Sequence, residues 1–193
     1  MKQVATIISR VFEPYIVALT LAVIGALHGG LQGGTLATYL LFFLLGAMLP
    51  VFVFRVWLMK KKRLTWDIHE RKKRIKPLLA LIAFVLLDYV LIAQWHNTVL
   101  SQLFLIFLVW VIGFFVVTLF WKISGHAGTI ALATGLIISW FGWGWWPVIL
   151  TVPLVAWARV VRRDHTILQV IAGALYSWVL LVVFDYWIIT SFL

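Results

Sequence analysis

The chain has no cysteine, and only six of its 193 residues are acidic. The first absence excludes a disulfide framework, thiolate metal sites and a cysteine nucleophile. The second leaves no cluster of aspartates for a divalent metal, as a metal-dependent alcohol phosphotransferase needs. Charged residues of either sign make up 11% of the chain, and no internal repeat or low-complexity tract breaks it. What is present is hydrocarbon: 64% of residues are hydrophobic, including twelve Trp and fourteen Phe. Such a composition belongs to an integral membrane protein, with aromatic rings at the interfaces as well as inside. The formal charge of +10 is spread among apolar runs and no nucleic-acid-binding module accompanies it. Anionic lipid head groups or phosphate esters are the expected partners, not nucleic acid.

Read in order, residues 1–14 form an interfacial amphipathic segment carrying Lys2, Arg10 and Glu13 among Val, Ile and Phe. Glu13 and Pro14 interrupt the first apolar run, so the start reads as a retained anchor and not a cleaved signal. A first span from Tyr15 to Leu27 turns through His28–Gly34 into a second, Leu36 to Met59, which Pro50 can kink. The polar stretch Lys60 to Lys76 is closed by Pro77. On a helix Asp67, Arg71 and Arg74 share a face there, and Glu70 can pair with Arg74. A third span, Leu78 to Trp95, turns at His96-Asn97 and a fourth returns from Leu100 to Trp121. Two runs of about 14–15 residues follow, His126 to Trp140 and Trp146 to Arg159, each roughly 22 Å of helix and expected to cross only where the bilayer thins. Thr166 to Leu193 is the last span.

The expected architecture is an all-α polytopic transmembrane helical bundle, a single domain over 1–193 with six to seven membrane segments including a short Trp-rich helical hairpin. Counted as seven crossings, it puts all sixteen Lys and Arg on one side and none in the three opposite turns. The positive-inside rule makes that side cytoplasmic.

Three polar breaks on that side hold Arg71, Arg74, Lys122, Ser124, His126, Arg159, Arg162, Arg163 and His165. Guanidinium groups make bidentate contacts with phosphoryl oxygens, and a serine with backbone N–H groups at a helix start adds oriented donors. Of two histidines, one can attack phosphorus as neutral imidazole and the other can protonate the leaving oxygen. Gln169, four residues beyond His165, can accept from one ring nitrogen and aim the other. Lys60 to Arg63 read as a basic stop, Arg162 and Arg163 as anchors, Asp164 as a salt-bridge partner. His28, His69 and His96 read as solvated. Asp88, about 16 Å into its span, reads as a protonated or hydrogen-bonded structural acid.

These motifs resemble the type-2 phosphatidic acid phosphatase superfamily, membrane relatives of the vanadium haloperoxidases. Its Pro-Ser-Gly-His motif is matched by Ile123-Ser124-Gly125-His126, with Ile for Pro. Its motif of Arg, five residues, His, three residues, Asp is matched by Arg159 and His165, with Gln169 for Asp. The run from His165 to Gly173 is similar to a His-Thr-x-x-Gln-Val-x-Ala-Gly form of bacterial members. In the first motif Arg74 matches, Ile75 stands for Pro and Asp67 for Lys. The resemblance covers residues 67–175 and implies a metal-independent lipid phosphatase of a bacterial or archaeal plasma membrane, without cofactor. It would have His165 as nucleophile forming a phosphohistidine, His126 as general acid, Gln169 as orienter, and Arg74, Lys122, Ser124, Gly125 and Arg159 binding phosphate. Arg71 substitutes for the missing Lys. The expected substrate is a lipid or polyprenyl phosphate or diphosphate. The alternatives are an inactive lipid-phosphate binding protein, and a transporter or flippase using Asp88 and Asp185.

Overall fold

The computed structural model describes residues 1–62, 68 and 70–191; Arg63, Asp67 and His69 lie outside the described residues. All regular structure among the described residues is helical: α1 Lys2–Val11, α2 Pro14–His28, α3 Gly33–Phe42, a π-wound segment Phe43–Met48, α4 Leu49–Lys62, α5 Arg71–Ala93, α6 Thr98–Phe120, α7 Gly125–Phe141, a 3₁₀ segment Trp143–Leu150, α8 Thr151–Val161 and α9 Ile167–Ser191. Among the described residues six stretches are long and apolar enough to cross a membrane, and Gly125–Phe141 is a shorter apolar helix of 17 residues. The protein is a multi-pass, all-α membrane protein. It consists of two compact units, Met1–Ala18 with Ile123–Leu193, and Leu19–Lys122.

In the first unit, α1 and α2 are separated by one deliberate break. The residue before a proline is driven out of the helical region, and proline suits the first helical position, where an N–H would have no partner. Pro14 takes that position. Glu13 therefore stands outside both helices while its carbonyl accepts from Ile16 and Val17. α1 packs against α8, with Ala5 and Ser9 buried and Val4, Ile7 and Val11 exposed. The small and polar residues thus face protein, and the apolar stripe faces outward.

The hairpin is longer than its apolar runs suggest. Its second arm comprises the 3₁₀ segment and α8. A 3₁₀ helix rises about 2.0 Å per residue against 1.5 Å for an α-helix, so Trp143–Val161 reaches about 32 Å, the thickness of a hydrocarbon core. This arm needs no thinned bilayer. α9 packs along α7, and two glycines permit it. A Cβ on Gly135 would strike Cδ2 of Leu181, the end of a flexible side chain, whereas a Cβ on Gly173 would come 2.5 Å from the carbonyl oxygen of Ser124. Asp185 has a partner here, since its Oδ2 accepts from Ser139 Oγ at 3.2 Å.

In the second unit the irregularity expected at Pro50 lies just before it. The Leu49 N–H reaches back to Leu44, a five-residue step that absorbs the disturbance around a residue unable to donate. Pro77 does not close the polar stretch: α5 starts at Arg71 and runs through the proline. The expected Glu70–Arg74 pair is replaced. Glu70 sits at the N-cap in extended conformation, off the helical i, i+4 geometry, and pairs with Lys73 at 2.5 Å, while Arg74 Nε donates to the Ile68 carbonyl at 2.8 Å. The Asp67 member of the expected shared face lies outside the described residues. At the other end of the unit Asn97 caps α6 by accepting from Leu100, and its Nδ2 donates to the Gly29 carbonyl at 2.9 Å. Two of the turns without Lys or Arg are thereby joined. Tyr39, Phe43, Ile92, Leu100 and Phe104 form the buried core beside them.

Gly173→Ala should lower stability by about 1–3 kcal/mol, because backbone must move to admit the methyl group. Gly135→Ala should cost less, because only a leucine rotamer must give. Thermal unfolding of the two variants in one detergent measures the difference, and equal melting temperatures would contradict the close approach at Ser124.

Candidate functional site

The first unit brings together the second and third sequence motifs. Ser124 precedes α7 and caps it, its Oγ accepting from the Ala127 N–H at 3.3 Å. The backbone N–H of Ser124 donates to the Gln169 carbonyl at 3.0 Å. That bond ties the start of α7 to the first turn of α9. Gly125 is the first residue of α7, so its N–H and its neighbour's belong to the positive end of a helix.

Gln169 makes three further contacts, two through its side-chain oxygen and one through its backbone N–H. Its Oε1 accepts from the Thr166 N–H at 3.2 Å while its own N–H donates to Thr166 Oγ1 at 3.3 Å. This reciprocal pair is a capping box, and it starts α9. The same Oε1 lies 3.1 Å from Nδ1 of His165. An amide oxygen only accepts, and the Thr166 N–H identifies this atom as the oxygen. Nδ1 of His165 must therefore carry a proton. In the neutral ring the lone pair is then on Nε2, the tautomer an attacking imidazole requires.

Arg159 comes from the last turn of α8 and is 2% exposed. Its Nη1 donates to Ser9 Oγ at 2.7 Å and lies 3.2 Å from Asp164 Oδ2, which also accepts from Arg162 Nε at 2.7 Å. Asp164 is thus the salt-bridge partner expected of it. The chain reverses through Arg163, at φ 62°, and the Asp164 N–H returns to the Arg159 carbonyl at 3.1 Å. One carboxylate between two guanidinium groups leaves an excess positive charge beside His165, suited to a phosphoryl group.

His126, on the first turn of α7, is buried, and its Nε2 lies 3.0 Å from Oε2 of Glu13. Glu13 and Ser9 were not identified as site residues from the sequence. They belong to a segment separated from the motifs by more than a hundred residues, and only the Glu-Pro break marked it. Thr166 was likewise missed, although Thr-x-x-Gln is a helix-start signature.

Arg71, Arg74 and Lys122 belong to the second unit. Arg71 Nη1 donates to the Leu119 carbonyl and, at 3.5 Å, to that of Thr118, so the guanidinium closes the carbonyl end of α6. Arg74 holds Ile68, as described above, and Lys122 is half-buried just after α6.

No protein-family profile matches the chain, and no solved structure matches it. Among curated proteins, a lipid A 4′-phosphatase of Helicobacter pylori strain J99 is 45% identical over 56 residues, which take in 28% of this chain and 28% of the relative's own length.

Removing one partner of a buried ion pair leaves the other charge stranded at a cost of about 3–5 kcal/mol. Asp164→Ala should accordingly destabilise the protein by that order, read as a fall in melting temperature in detergent. Asp164→Asn, which keeps an oxygen for one guanidinium, should fall less.

Proposed function

We propose that the protein is a membrane phosphatase acting on a phosphate or diphosphate carried by a lipid or isoprenoid, through a phosphohistidine on His165. The observation that carries this reading is the contact of Gln169 Oε1 with His165 Nδ1, which presents Nε2 as a nucleophile beside a buried arginine. The partial likeness to a lipid A 4′-phosphatase supports a lipid-borne phosphate as the substrate class.

In this mechanism Nε2 of His165 attacks phosphorus in line, and charge on the equatorial oxygens is met by Arg159, the hydroxyl of Ser124 and the helix-start N–H groups at Gly125. His126 protonates the departing oxygen, and water then attacks the phosphohistidine to release phosphate. Neither step calls for a metal. The charge asymmetry of the chain directs this polar face to the cytoplasmic side. Asp88, buried within α5, favours a second reading, a transporter, in which transport fails with Asp88→Asn and survives His165→Ala.

Purified protein with chelator present should release phosphate from one or more of a lipid A preparation, phosphatidate, phosphatidylglycerophosphate and polyprenyl diphosphate. His165→Ala should lose that release by at least about a thousandfold, and an acid-labile, base-stable phosphoryl group should be trapped on the wild type alone. Binding of the same lipids without release, unchanged in His165→Ala, would identify an inactive binder instead.

Gln169→Glu should shift the acid limb of the pH–rate profile to higher pH. The added carboxylate favours the charged ring, whereas attack requires the neutral one, so a higher pH is needed to free the nucleophile. The kcat/KM profile measures this, and an unmoved acid limb would remove His165 from the nucleophile's role.

A further inference from the structure

We infer that Glu13 is the positioning residue of the proton donor His126: it fixes the ring by its Nε2 and assigns to Nδ1 the proton that goes to the leaving group. This deepens the phosphatase reading and rests on it. The contact is 3.0 Å, and the two side chains are only 9% and 12% exposed. An ionised carboxylate has no proton to offer and only accepts, so the nitrogen facing it is the one that carries hydrogen throughout. The proton that is transferred is then the one on Nδ1.

Glu13 is not an incidental surface acid that happens to fall nearby. Pro14 opens α2 and holds Glu13 out of both helices, its carbonyl engaged by Ile16 and Val17, so the side chain leaves from a defined position. Four residues earlier, Ser9 receives the Arg159 guanidinium. The amino-terminal segment therefore contacts two site residues at once, one on α7 and one on α8. Elsewhere in the site Arg159, Arg162 and Asp164 neutralise one another in part, and His165 has the uncharged Gln169 on its Nδ1. The carboxylate that the third motif lacks is thus present on the other histidine.

The two half-reactions balance with this assignment. The lone pair of His165 Nε2 forms the N–P bond as the P–O bond to the alcohol or phosphate leaving group breaks, and the leaving oxygen takes the proton from His126 Nδ1. Water then gives a proton back to Nδ1 as its oxygen bonds to phosphorus and the P–N bond breaks. The carboxylate opposes the charge of the imidazolium in both halves, and Nε2 keeps its hydrogen.

The test compares wild type, Glu13→Gln and Glu13→Asp on an alkyl phosphate, whose leaving group needs a proton, and on nitrophenyl phosphate, whose leaving group does not. The ratio of the two rates is independent of the fraction of protein that folds. Glu13→Gln should lower the alkyl-to-nitrophenyl ratio by about tenfold or more, and Glu13→Asp should restore most of it. Nitrogen-15 spectra of the ring should show Nε2–H on His126 in the wild type and a mixture of tautomers in Glu13→Gln. Equal slowing of both substrates, or an unchanged ring spectrum in Glu13→Gln, would overturn the inference while leaving the phosphatase reading in place. Absence of turnover from every substrate in the wild type would overturn the reading itself and the proton-donor role with it.

Discussion

Everything chemical in the first unit depends on one backbone contact, the approach of α9 to the residue preceding α7. The Ser124 N–H and the Gln169 carbonyl meet at 3.0 Å, and Gly173 removes the side chain that would hold the two apart. Through that contact the cap of α7 and the capping box of α9 become one structure. The two histidines are then displayed from helix starts, where backbone N–H groups without helical partners favour negative charge. Burial of Ser124 and His165 follows from the same closeness.

Much of this was legible from residue spacing. Helical periods and the distribution of Lys and Arg marked out the spans and their connections, and the i, i+4 relation of His165 to Gln169 anticipated their bond even though His165 lies before the helix. Local chemistry was legible wherever the partners were close in sequence, as at Asp164 and Arg162. Long-range partnerships were not. Glu13 and Ser9 reach the site through tertiary packing of α1 on α8, and no period in residues 1–14 reports what their polar face meets. Glu70 failed for the opposite reason: a helical rule was applied across a residue that the helix does not include.

Glutamine at position 169 preserves one role of a carboxylate and gives up another. It accepts from Nδ1 and so specifies the tautomer, but it contributes no charge to stabilise an imidazolium. A ring held in that tautomer beside the net positive turn of Arg159, Arg162 and Asp164 does not depend on a charged orienter to remain in place. The oxygen is also committed to starting α9, so the residue that aims the ring is held by the fold and not by the ring alone. In the proposed mechanism the proton-handling half falls to His126, whose ring meets Glu13 and not Gln169.

The 3₁₀ winding of Trp143–Leu150 has a geometric consequence for Arg159. With three residues per turn, each residue in this segment rotates everything after it by about 120° and advances it by about 2 Å. Adding or removing three residues would therefore change the depth of α8 by about 6 Å while returning the arginine to the same compass bearing. The arm has a screw thread by which its length could be fitted to membranes of different thickness without turning Arg159 away from His165.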